Sequence, residues 1–183
     1  MRHSLRPAVL LLVASACSPG FTPFREIEKS RVIGAVVAVD ADPTIATPAP
    51  GDAATISLVV ADPGPKQGRT WGLVVCRPGT SRLDAVYCDD PTTIVGTSFS
   101  TTLPAPGAPI PDPSVQFTVP DGATLGDATE LWVMGAVCNG GTVRDLLTDP
   151  PTYGEPWDPC MEDPAADPQP VGQLITTRIP LHV

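Results

Sequence analysis

The sequence predicts an all-β domain: an antiparallel β-sandwich of seven or eight strands with long Pro-rich loops, preceded by a signal peptide. Three observations carry this reading. Runs of alternating apolar and polar residues recur from position 31 to the end, separated by turn-forming residues. The 24 prolines and 16 glycines make up about a fifth of the 183 residues, a share suited to stiff turns. The apolar 42% is mostly Val, Ala, Leu and Ile, and Lys and Glu are few. That mix favours strands over helices.

The elements follow in order. Residues 1–16 carry Arg2 and Arg6, then a short uncharged apolar stretch over 8–16. A membrane-spanning helix needs about 20 apolar residues. A positive start, a short apolar stretch and small closing residues describe an export signal. Residues 17–30 read as a tether, with Pro19, Gly20 and Pro23 early and mixed charges later. The domain is expected over 31–183. Within it, 32–39 is a continuous apolar run closed by Asp40-Ala41-Asp42-Pro43. Over 55–61, Ile56, Leu58 and Val60 share a face, and Asp62-Pro63-Gly64-Pro65 turns the chain. Trp71, Leu73 and Val75 share a face over 69–76. A short candidate at 84–88 and a weak one at 93–98 follow. Over 114–119, Val115, Phe117 and Val119 point inward and Ser114, Gln116 and Thr118 outward. The run 130–138 is apolar on both faces, as in a central strand. The last strand, 172–183, sets Ile175, Thr177, Ile179 and Leu181 on one face.

The apolar stretch ends in Ala14-Ser15-Ala16, with Cys17 directly after. Here the chain resembles the lipobox of bacterial lipoproteins. Ala14 stands where that family usually has Leu. The resemblance implies diacylglycerol on the Cys17 sulfur, cleavage before it and acylation of the new amino terminus, with palmitate among the chains. Ser18 after the cysteine implies no retention in the inner membrane, so the outer membrane is the expected location. Each buried CH₂ of an acyl chain contributes about 0.8 kcal/mol, so two or three chains hold firmly.

A second resemblance covers most of 31–183 in outline. It rests on the strand with D-x-D-P at 40–43, a turn with Gly51 and Asp52, T-I-S-L-V-V-A-D-P at 55–63, and a tryptophan strand ending at Cys76. This order resembles an immunoglobulin-like or PKD-like module, common in surface lipoproteins of myxobacteria. The resemblance implies that Trp71 is the core tryptophan of strand C and that 130–138 is strand F. It implies a fold more than a job.

Besides Cys17, the cysteines are Cys76, Cys88, Cys138 and Cys160, an even set in an exported chain. Such a set points to disulfides, with three pairings possible. In the immunoglobulin-like topology that the resemblance implies, strands C and F are antiparallel neighbours. Cys76 and Cys138 then lie at opposite edges. A strand of about eight residues spans about 26 Å, while bridged Cα atoms lie within about 7 Å. On that topology Cys76–Cys88 with Cys138–Cys160 is the expected pairing, and the second bridge would pin the excursion over 139–159. The cysteines lack the close C-x₂-C pairs of structural zinc sites.

The formal net charge is −9, and Arg2 and Arg6 are the bases ahead of Cys17. A mature chain without those two carries −11, which repels nucleic acid. His3 lies in the signal and His182 beside the end, and no G-x-S-x-G occurs. A histidine-based triad or metal centre therefore has no support. Many aspartates precede Pro or Gly, where their side chains stabilise turns. Asp40, Asp42 and Asp62 sit at strand ends that a sandwich can bring together, which frames a calcium-binding adhesion module as one alternative. A carboxylate-dependent envelope hydrolase is the other. Tyr153 and Trp157 form a candidate binding loop near Cys160. The expectation is a non-catalytic structural or binding protein, not an enzyme, with no cofactor and no metal. It would face the periplasm or cell surface, held to the membrane by lipid on Cys17, with an envelope protein or glycan as partner.

Overall fold

The computed structural model describes residues 29–63, 68–79, 88, 90–151, 157–161 and 169–182. Seven strands lie within them: β1 (Arg31–Val39), β2 (Ala53–Ala61), β3 (Arg69–Cys76), β4 (Ile94–Ser100), β5 (Ser114–Thr118), β6 (Glu130–Asn139) and β7 (Val171–Pro180). A single helical turn, α1 (Gly122–Leu125), precedes β6. The strands pair antiparallel in two sheets, ordered β1-β2-β5 and β4-β3-β6-β7. This is the expected all-β sandwich of immunoglobulin-like type. Its fourth strand pairs with β3, so it joins the sheet of β6 and β7 rather than that of β2 and β5.

Period-two patterning explains the elements of the smaller sheet. Ala54, Ile56 and Leu58 of β2 are buried between the sheets, and Val115 and Phe117 of β5 meet them there. Trp71, Leu73 and Val75 of β3 and Leu131, Val133 and Val137 of β6 close the same core from the opposite sheet. Each such side chain, fully buried, contributes about 1.5–3 kcal/mol. Gly96 of β4 lets the sheets touch at one corner. A Cβ there would lie 2.7 Å from the Cβ of Phe117 and 2.8 Å from the Gln116 carbonyl.

Several boundaries differ from expectation for local reasons. The weak candidate at 93–98 is the full strand β4, entered through a 3₁₀ turn, Pro91–Thr93, capped by Asp90. Of the candidate at 84–88, only Cys88 lies among the described residues, and it belongs to no strand. The last strand stops at Pro180, after which the Leu181 N–H turns to Thr129 O and the His182 N–H to Pro48 O. β3 is buried on both faces, not one. Its second face, with that of β6, lies under a separate cluster containing Val74, Cys76, Met134, Ala136, Cys138, Val143 and Leu146. Conversely, β1 is apolar along most of its length, yet it is an edge strand exposed over much of that length.

Candidate functional site

Both bridges of the expected pairing are present: Cys76–Cys88 and Cys138–Cys160, with Cα atoms 5.7 and 5.2 Å apart. The register explains the choice. Cys76 stands opposite Trp132 and Cys138 opposite Thr70, at the two ends of the β3–β6 pair. All four sulfurs belong to the second cluster on the outer face of the larger sheet. There they hold loops against strands. Val143 bridges Cys160, the Arg144 N–H donates to Pro159 O at 2.8 Å, and the Met161 N–H donates to Thr142 O at 2.8 Å. Buried Thr70 ties this loop to β3. Its hydroxyl donates to Gly141 O at 2.8 Å and accepts from the Val143 N–H at 2.7 Å.

Of the candidate loop pair, Tyr153 lies outside the described residues. Trp157 packs against the second cluster, and its Nε1–H donates to Asp149 O at 3.2 Å. Its ring therefore serves loop packing in this structure. Trp132 is half-buried on the same face, and its Nε1–H donates to Glu130 Oε1 at 2.9 Å. Cys17 and its tether before residue 29 also lie outside the described residues.

The aspartates are spread over separate turns. Asp42 accepts from Thr44 N and Oγ1, Asp90 from Thr92 N and Oγ1, and Asp121 from Thr124 N. The Thr44 and Thr92 hydroxyls, with the backbone N–H groups beside them, hold the Asp42 and Asp90 carboxyls below the usual aspartate range. The Thr124 N–H and hydroxyl do the same for Asp121. The trio Asp40, Asp42 and Asp62 does not assemble. β1 and β2 are antiparallel, with Val39 opposite Ala54 and Arg31 opposite Ala61. Asp40 and Asp42 thus follow one end of the pair and Asp62 the other, a strand length of about 26 Å away. Among the described residues no group of three His, Cys, Asp or Glu side chains is placed to hold a metal ion.

Asp62 has a different role. Its carboxylate pairs with Arg69 at 2.6 Å, side chains 6% and 2% exposed, and accepts from the Ser30 hydroxyl at 2.5 Å. This polar latch closes one end of the space between the sheets. Beside it, Gln173 of β7 reaches across to β1. Its Oε1 accepts from the Val32 N–H at 2.6 Å, and its Nε2 donates to Ser30 O at 3.4 Å.

Between these edge strands runs an open groove of about 630 Å³, lined by Arg31, Val32, Gly34 and Ala35 of β1 and by residues 173–177 of β7. Ile33 and Val36 of β1 are 59% and 56% exposed. Strand alternation alone does not reveal this groove. The local signal for it is an apolar run interrupted by Gly34, since glycine within a strand often marks a bulge or the close approach of another backbone. β1 does carry a register shift between Val32 and Gly34.

No family model, curated protein or solved structure matches this chain. The geometry is therefore the ground for a functional reading. It offers a braced outer face, aspartates dispersed in turns and one edge groove. No helix among the described residues is long and apolar enough to cross a membrane.

Proposed function

We propose that this protein is a lipid-anchored envelope lipoprotein whose immunoglobulin-like domain has a non-catalytic, structural or binding role. It is exported, cut before Cys17, held by lipid on that cysteine at the outer membrane, and faces the periplasm or the cell surface. The observation that carries the reading is Ala14-Ser15-Ala16-Cys17 at the end of a short apolar stretch behind Arg2 and Arg6. The disulfides support it. Cys76, Cys88, Cys138 and Cys160 pair among themselves, which leaves Cys17 over and fits an oxidising compartment. Among the described residues Asp42, Asp90 and Asp121 each close a local turn, a structural use of carboxylates that suits a binding module. A protein or glycan of the envelope is the partner class that suits this location.

The test is fractionation of cells expressing the full chain. Cys17→Ser is expected to move the protein from the membrane fraction to the soluble fraction or the uncleaved precursor. A processed C17S chain that stays membrane-bound would remove the anchor.

A further inference from the structure

We propose that the free edge of β1, with the groove beside it, docks an extended polypeptide segment that adds a strand to the β1-β2-β5 sheet. The proposal rests on the binding reading above and gives it a site.

The backbone of β1 supplies the first argument. Among the described residues its one strand partner is β2, and in an antiparallel pair successive residues direct their N–H and C=O groups alternately toward and away from that partner. Three bonds fix the phase. The Asp40 N–H points inward, to Ala53 O at 2.8 Å. The Val39 N–H points outward, to Ile45 O at 3.1 Å. The Val32 N–H also points outward, to Gln173, with the register shift after Val32 restoring the alternation. Ala35 and Val37 therefore turn their N–H and C=O groups outward, where no described residue meets them.

Gln173 supplies the second. A carboxamide has the donor and acceptor of a peptide group, and this one accepts from Val32 and donates to Ser30 along the same edge. The fold already places one amide where a docked strand would place the next ones. Main-chain hydrogen bonds of this kind give affinity in strand addition, and pockets for alternate side chains give specificity.

The groove suits small or apolar side chains. Val32, Ala35, Leu174 and Ile175 give it an aliphatic lining. A docked strand would also lie alongside Val36, now largely exposed. Among the described lining residues Arg31 alone is charged, so the segment is uncharged at its centre and carries a carboxylate at the end that reaches Arg31.

The same geometry disfavours a second copy of this chain. The open edge extends only from Gln173, which covers Val32, to Ile45, which covers Val39. Two β1 strands laid antiparallel would drive the 40–45 turn of each copy into the Gln173-covered end of the other. A flexible segment can leave the edge at both ends.

The probe is a fluorescein-labelled peptide of alternating valine and threonine with one terminal aspartate, added to the disulfide-bonded soluble domain. Saturable anisotropy is expected, with slowed amide exchange at Ala35 and Val37. Ala35→Pro removes an outward N–H without touching the β2 ladder, and Ala35→Leu fills the groove. Each is expected to weaken binding about tenfold or more with an unchanged circular dichroism spectrum. Absence of saturable binding, or binding that survives both variants, would overturn the proposal. So would a dimer in sedimentation that is lost in A35P, since the edge would then belong to a second copy. If the peptide fails while a purified envelope partner binds another face, the groove is refuted and the binding reading stands.

Discussion

Asp62 and Arg69 are the residues at which burial and charge conflict most sharply. Taking two charges out of water costs several kcal/mol each, and their attraction offsets this only while both are present. Among the described residues Arg69 Nε meets no hydrogen-bond partner, and the guanidinium leans on the carboxylate at 2.6 Å. Asp62→Ala is expected to cost about 3–5 kcal/mol, read from urea unfolding with bridges intact. The double variant D62A/R69M is expected to recover much of that loss, because it leaves no buried charge unpaired. This pair was not legible in the sequence. An arginine at a strand start and an aspartate in a turn carry no local mark of burial. Their meeting depends on the chain reversing between β2 and β3. The turn roles of Asp42, Asp90 and Asp121 were legible, because an aspartate bonding the backbone N–H two or three residues on is a local event.

Among the elements, β3 and β6 carry both cores, one on each face. The outer core is held by loops rather than by another sheet, and the disulfides bound those loops. Closing separations of 12 and 22 residues is worth about 3 kcal/mol per bridge in the chain-entropy account. Cys138→Ala with Cys160→Ala is therefore expected to lower stability by about 3 kcal/mol in urea unfolding. Little change would show that the loop over Val143 and Leu146 is held by packing alone. Strands with clean alternation, β2 and β5, were legible almost to the residue. So was the apolar character of β6, whose both faces are covered. β1 was legible as a strand but not as an edge, because an apolar run reports composition, not which neighbours the topology supplies. The trio Asp40, Asp42 and Asp62 stays apart for a related reason. The sequence places Asp40, Asp42 and Asp62 at strand ends, and only the antiparallel register shows that these are different ends.

For the whole molecule, an acidic chain folded as a disulfide-braced sandwich suits the proposed envelope role. The full chain carries a net charge of −9, a sign that repels the phosphates of nucleic acid. The lone late histidine, His182, sits on an exposed terminus, its N–H bonded to Pro48 O at 3.0 Å. The fold was legible because it follows from patterning and turn chemistry. The groove was not, because it exists only once β1 and β7 lie side by side. Intact-mass analysis of the protein purified from bacterial membranes tests the proposed lipid anchor on Cys17 directly. The expected species begins at Cys17 and is heavier than its sequence by a diacylglycerol and an amide-linked acyl group. A chain beginning at Cys17 with the mass of the bare polypeptide, or one retaining residues 1–16, would contradict it.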